Sequence, residues 1–134
     1  MLGSVGVVLL LIAAGVVLLL NVVGATTNQA KDVADDFTRL MVSGEADNAY
    51  DKYLDSSFRQ EVSKEDFIAG HKELELDASC EPTYSGVESY KEDGTKFAEV
   101  WGVLICDDKD LEFEYFFEGR DQLKVTEVWI EPLE

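Results

Sequence analysis

Few side chains in this chain are of types that do chemistry. His71 is the only histidine, and Cys80 and Cys106 are the only cysteines. A histidine titrates near neutrality and acts as a general base when a carboxylate or phenol faces it across a cavity. No second group stands at a defined spacing from His71, which falls in the last turn of an expected helix, where the macrodipole by itself favours a cation. It is the single catalytic candidate, and a structural role is the simpler reading. Tyr50, Tyr53, Phe67, Phe97, Trp101, Phe113, Tyr115 and Trp129 are candidates to line a ligand cavity, although core packing is the commoner fate of such residues. Asp107-Asp108-Lys109-Asp110 offers carboxylates to calcium but lacks the Gly and terminal Glu of an EF-hand loop, so it reads as a hairpin tip. Two cysteines and one histidine are too few for a zinc site, and there is no Cys-x-x-Cys pair, phosphate-binding glycine loop or nucleophile elbow. The sequence therefore implies neither a cofactor nor a metal.

The elements that would position these residues begin with helices. Ala30, Val33, Phe37, Leu40 and Met41 recur at three- and four-residue spacings, predicting a helix from about Asn28 to Ser43 that ends at Gly44. Asp47 is the expected cap of a shorter helix with Ala46, Ala49, Tyr50, Tyr53 and Leu54 inward. Ser63 opens a third, with Val62 and Phe67 placed as a hydrophobic staple. Four strands follow, over about Ala78 to Tyr90, Lys96 to Cys106, Asp110 to Glu118 and Leu123 to Glu131, joined by short polar turns as in an antiparallel meander. Helices first and strands after define an α+β domain.

Alternation sorts the strand faces. Leu111, Phe113, Tyr115 and Phe117 share one side, and Glu112, Glu114 and Glu118 share the other with Phe116. In the preceding strand Phe97, Trp101, Val103 and Ile105 make one side apolar, while Ala98, Val100, Leu104 and Cys106 do the same for the other. A strand apolar on both faces calls for a cover on the outer sheet face, and a second copy of the chain is the expected one.

The cysteines can be placed by hairpin geometry. A three-residue loop of Glu92, Asp93 and Gly94 sets Lys91 against Thr95, and counting back equally along both strands brings Cys80 opposite Cys106. That is a non-hydrogen-bonded site with Cα atoms about 4.5 Å apart, short but acceptable for a disulfide. A bulge at Pro82 or Gly86 would shift the pairing by one.

From Leu2 to Ala25 there is no charged residue. A helix of that length, at about 1.5 Å per residue, crosses a hydrocarbon core of about 30 Å. Small residues at Val23-Gly24-Ala25 leave signal cleavage as the alternative, but the run is long for a signal peptide and no basic segment precedes it. The expected organisation is an anchor over 1–25, a linker over 26–29 and one extracytoplasmic domain over 30–134. The disulfide expected there sets the orientation, since such bonds persist outside the cytoplasm. All charge lies beyond residue 30, with 28 acidic and 11 basic side chains and a net charge of −17. Such a surface repels a phosphate backbone and anionic headgroups, which excludes nucleic acid as a partner.

Phe37, Leu40, Gly44, Glu45, Ala49, Tyr50 and Leu54, followed by Phe58, Ser63 and Phe67, resemble the opening of the nuclear transport factor 2-like superfamily, in particular small membrane-anchored envelope proteins of bacteria. The resemblance runs from Ala30 to about Glu131. It implies a cone of three helices closed by a curved four-stranded antiparallel sheet, often dimeric, with a cavity at the wide end. Enzymes of that superfamily place Asp, His or Tyr in the cavity, and no such set maps onto this chain. The expected function is thus a non-enzymatic binding or assembly module on the cytoplasmic membrane, held by residues 2–25. Its expected partner is an envelope protein, a small apolar ligand or a second copy, and the alternatives are an isomerase- or dehydratase-type enzyme using His71 or a secreted domain freed by cleavage.

Overall fold

The computed structural model describes residues 26–133. Among these residues the first helix, α1, covers 26–42. Thr26 to Gln29, where a linker was expected, are helical, and Thr27 Oγ1 lies 2.7 Å from Ser89 Oγ on the sheet. Ala30, Ala34, Phe37 and Met41 form the buried stripe of α1. Gly44 ends it at φ +82°, in the left-handed region that suits a residue without a Cβ, and the Glu45 N–H reaches back to the Leu40 carbonyl at 2.8 Å.

Three further helices follow: α2 at Ala46–Tyr53, α3 at Ser56–Glu61 and α4 at Lys64–Leu74. The cap of α2 is Glu45, which makes no side-chain capping bond, and the expected cap Asp47 lies inside the first turn, where its charge suits the dipole. Helix α3 was not expected. With six residues and one apolar side chain, Phe58, it shows no periodicity, and it forms because the Asp55 carboxylate accepts from the Ser57 N–H at 3.0 Å. Ser63 caps α4 as expected, accepting from the Asp66 N–H at 3.1 Å.

The strands are β1 at Glu81–Glu92, β2 at Thr95–Ile105, β3 at Asp110–Gly119 and β4 at Lys124–Pro132, paired in sequence order as an antiparallel meander. The β1–β2 turn has two residues and not three. Asp93 and Gly94 both take positive φ, as the preferred two-residue hairpin turn requires, and Glu92 pairs with Thr95. Ser85 then enters as an extra residue between Tyr84 and Gly86, slipping the register back by one. The two departures cancel, so the Cys80–Cys106 disulfide forms with Cα atoms 4.0 Å apart. Gly86 fits this stretch because the Trp101 indole lies over it and occupies the space a Cβ would need. A second irregularity, at Phe116/Phe117, makes Thr126 the extra residue on β4, with its hydroxyl donating to the Phe116 carbonyl at 3.2 Å.

All four helices among the described residues pack on one sheet face. Val100, Leu104, Leu111, Phe113, Tyr115, Phe117 and Val125 meet Phe37, Met41, Tyr50, Leu54 and Phe67 in a single core. The Phe37 ring meets Tyr115 edge-on at 5.1 Å, and the Asp55 N–H donates to the Val125 carbonyl at 2.8 Å, fastening the α2–α3 junction to β4. The alternation read from β2 and β3 holds, with the Leu111 to Phe117 set buried. No helix among the described residues is long and apolar enough to cross a membrane, and the expected anchor at 1–25 lies outside them.

Candidate functional site

On the helical side, His71 and the tyrosines Tyr50, Tyr84 and Tyr115 are engaged in hydrogen bonds. His71 is half-buried, with Nε2 2.5 Å from the Met41 carbonyl. A carbonyl only accepts, so this nitrogen carries the proton and donates. Tyr115 is fully buried, its oxygen 2.8 Å from Thr38 Oγ1, and burial pushes the phenol well above its ordinary range. The Tyr50 hydroxyl donates to the Val62 carbonyl at 2.6 Å, and Tyr84 donates to Asp35 Oδ1 at 3.1 Å. These bonds tie helix ends and the α1–sheet contact together.

A groove of about 270 Å³ does open between α1, α3, α4 and β4, lined by Met41, Phe58, Phe67, His71, Val128 and Ile130 with Asp66 at its side. Its walls suit an apolar ligand slightly smaller than those that fill the usual pockets of roughly 300–1,000 Å³. Of the expected cavity residues, Phe67 lines this groove, and the Tyr50 ring lies against that of Phe67 at a tilt, with centroids 5.6 Å apart. Tyr53 is half-buried beside the core, while Phe113 and Tyr115 are in its centre. Phe97, Trp101 and Trp129 stand on the opposite, outer face of the sheet, because each adjoins an inward residue in its strand. The sequence pattern grouped residues that the sheet separates.

The outer face holds what the sequence reading passed over. Glu88 pairs across β1 and β2 with Glu99, which pairs across β2 and β3 with Phe116, which pairs with Glu127 on β4. Glu114 lies diagonally from Glu99, opposite Trp101 and Trp129. Only 2% of Glu99 is exposed, and neither of its carboxylate oxygens meets a hydrogen-bond partner among the described residues. Burial, then the charges of Glu114, Glu88 and Glu127, push its carboxyl up to about 8. Glu88 and Glu114 are raised too, chiefly by burial. A cavity of about 140 Å³ adjoins Glu99, walled by Glu88, Tyr90, Phe97 and Phe116. The signal was present in sequence: Glu99 is the lone charge between Lys96 and Cys106 in a strand that is otherwise apolar on both faces.

The Asp107–Asp110 stretch is a hairpin tip. The Lys109 ammonium donates to the Glu75 carbonyl at 2.6 Å and the Asp107 N–H to Ser79 Oγ at 3.0 Å. Among the described residues, no grouping of His, Cys, Asp and Glu is arranged to hold a metal ion. No protein-family model, curated protein or solved structure matches this chain.

Proposed function

We propose that the chain is a non-enzymatic binding or assembly module, anchored in the cytoplasmic membrane by residues 2–25 with its α+β domain outside the cytoplasm. The observation that carries this reading is the use of His71 and Tyr115 as internal fasteners, to the Met41 carbonyl and to Thr38. An isomerase or dehydratase would need such groups free and converging on an open cavity. Three observations support the remainder: the uncharged run at 2–25, a disulfide of the kind that persists in oxidising compartments, and an order of helices then meander consistent with a nuclear transport factor 2-like cone. A small-molecule function is the second reading, favoured by the His71-lined groove.

Native mass spectrometry of the full-length protein, extracted gently from its own membranes, separates these readings. The expected species keeps residues 1–25 and carries a protein partner or a second copy. A chain cut after Ala25 would overturn the anchor, and a co-purified small molecule lost on His71→Ala would move the function to the groove.

A further inference from the structure

Every strand brings a carboxylate to the outer sheet face: Glu88, Glu99, Glu114 and Glu127. Like charges set directly across a strand pair are destabilising, and Glu88 opposite Glu99 is such a pair. Burying a carboxyl without a hydrogen-bond partner is costlier still. Both oxygens of Glu99 and one each of Glu88 and Glu114 lack a partner among the described residues, and none of the four ion pairs there involves them. The described residues supply this carboxylate cluster with no counter-charge.

We propose that the Glu99 pocket receives the guanidinium of an arginine side chain from a partner protein, held between Glu88 and Glu99 with its flat face on the Phe116 ring. The assignment rests on the binding-module reading and names the chemistry of the partner. The 140 Å³ cavity is too small for a drug-sized molecule and suits one cationic head group. A guanidinium is planar, weakly hydrated and able to engage carboxylates by parallel hydrogen bonds while stacking on an aromatic face, which an ammonium does less well. A protein, and not a free amine, is the expected source because apolar side chains continue along the same face: Trp129 is 36% exposed and Ile105 49%. Tryptophan beside a buried arginine is a frequent composition of the energetic centre of an interface. The net charge of −17 would draw a basic partner in.

The groups facing Glu99 are all acids: Glu88 and Tyr90 from β1, Glu114 and Glu118 from β3, and Glu127 from β4. Burial, then Glu114, Glu88 and Glu127, favour the protonated form of Glu99, so an arriving guanidinium displaces its proton to solvent and binds more tightly as pH rises.

The test uses the full-length protein in detergent micelles, with carboxyl carbon resonances followed by NMR. N-acetylarginine amide is titrated in, alongside its neutral isostere N-acetylcitrulline amide, N-acetyllysine amide and spermidine. The arginine compound is expected to move the Glu99 and Glu88 signals, to bind at least about tenfold more tightly than the citrulline compound, and to gain affinity between about pH 6 and pH 8. Glu99→Gln should weaken it by about tenfold or more and reduce the pH dependence to what Glu88 and Glu114 leave, and Glu88→Gln should weaken it as well. Equal citrulline binding, or arginine binding unchanged in both variants, overturns the site. Lysine amide or spermidine binding as tightly as arginine overturns the guanidinium assignment, and concentration-dependent dimerisation through this face overturns the assignment to a different protein. A protein partner retained in the native mass spectrum without arginine binding leaves the module reading standing and removes this inference alone.

Discussion

Position 99 illustrates how much one side chain can set. Below the ordinary carboxyl value of 4.5, Glu99 is protonated in both the folded and the unfolded chain and contributes no pH dependence. From there to about 8 the unfolded chain releases the proton while the folded one keeps it, so this group lowers stability as pH rises, by up to about 1.4 kcal/mol per pH unit. Above about pH 8 both states are ionised and the penalty is constant. Glu99→Gln should therefore leave stability little changed in acid and raise it progressively towards pH 8, as read by denaturant midpoints across that range. Equal pH slopes for the two proteins would show that Glu99 ionises normally. Tyr115→Phe deletes the buried bond to Thr38 and leaves that hydroxyl without its partner, so a loss of about 1–3 kcal/mol is expected in urea unfolding.

Among the elements, the helix starts and the hairpin joint are the most informative. Ser63→Ala should cost about 1 kcal/mol by removing the acceptor for the Asp66 N–H, and Ser63→Asp should recover most of it in the same thermal or urea measurement. Ser56–Glu61 is a harder case, because so short a helix has no buried residue and depends on its Asp55 cap and on the sheet beside it. In β1 the extra residue Ser85 and the contact between Gly86 and Trp101 set the register together. Gly86→Val forces the indole aside or shifts the strand, and a loss of about 2 kcal/mol or more is expected, together with a changed tryptophan fluorescence spectrum. The unchanged spectrum of a stable Gly86→Val protein would argue against the close packing described.

At the scale of the molecule, one core joins the four helices of the described residues to a meander, and the disulfide fastens the open end of its first hairpin. Loop entropy assigns that bond on the order of 3 kcal/mol, so reduction should lower the denaturant midpoint without changing the strand order. The charge excess acts across the whole surface. Raising salt screens self-repulsion and should stabilise the domain at neutral pH, with a weaker effect in acid where carboxylates are protonated.

The sequence by itself determined the parts governed by local periodicity and turn chemistry. The α1 stripe, the Ser63 cap, four strands in meander order and the inward set Leu111, Phe113, Tyr115 and Phe117 were all legible, because each follows from residues within a few positions of one another. The cysteine pair was legible as a pair, although the path between its ends was not. A two-residue turn and a compensating extra residue give the same partners as a three-residue turn with an unbroken ladder. Only the tertiary structure decided the sites. Phe97, Trp101 and Trp129 belong to a different face from Phe113 and Tyr115, and His71 meets Met41, thirty positions away. The burial of Glu99 is likewise a property of four strands together: each contributes side chains to its surroundings on the outer face, and no single stretch of sequence contains that neighbourhood.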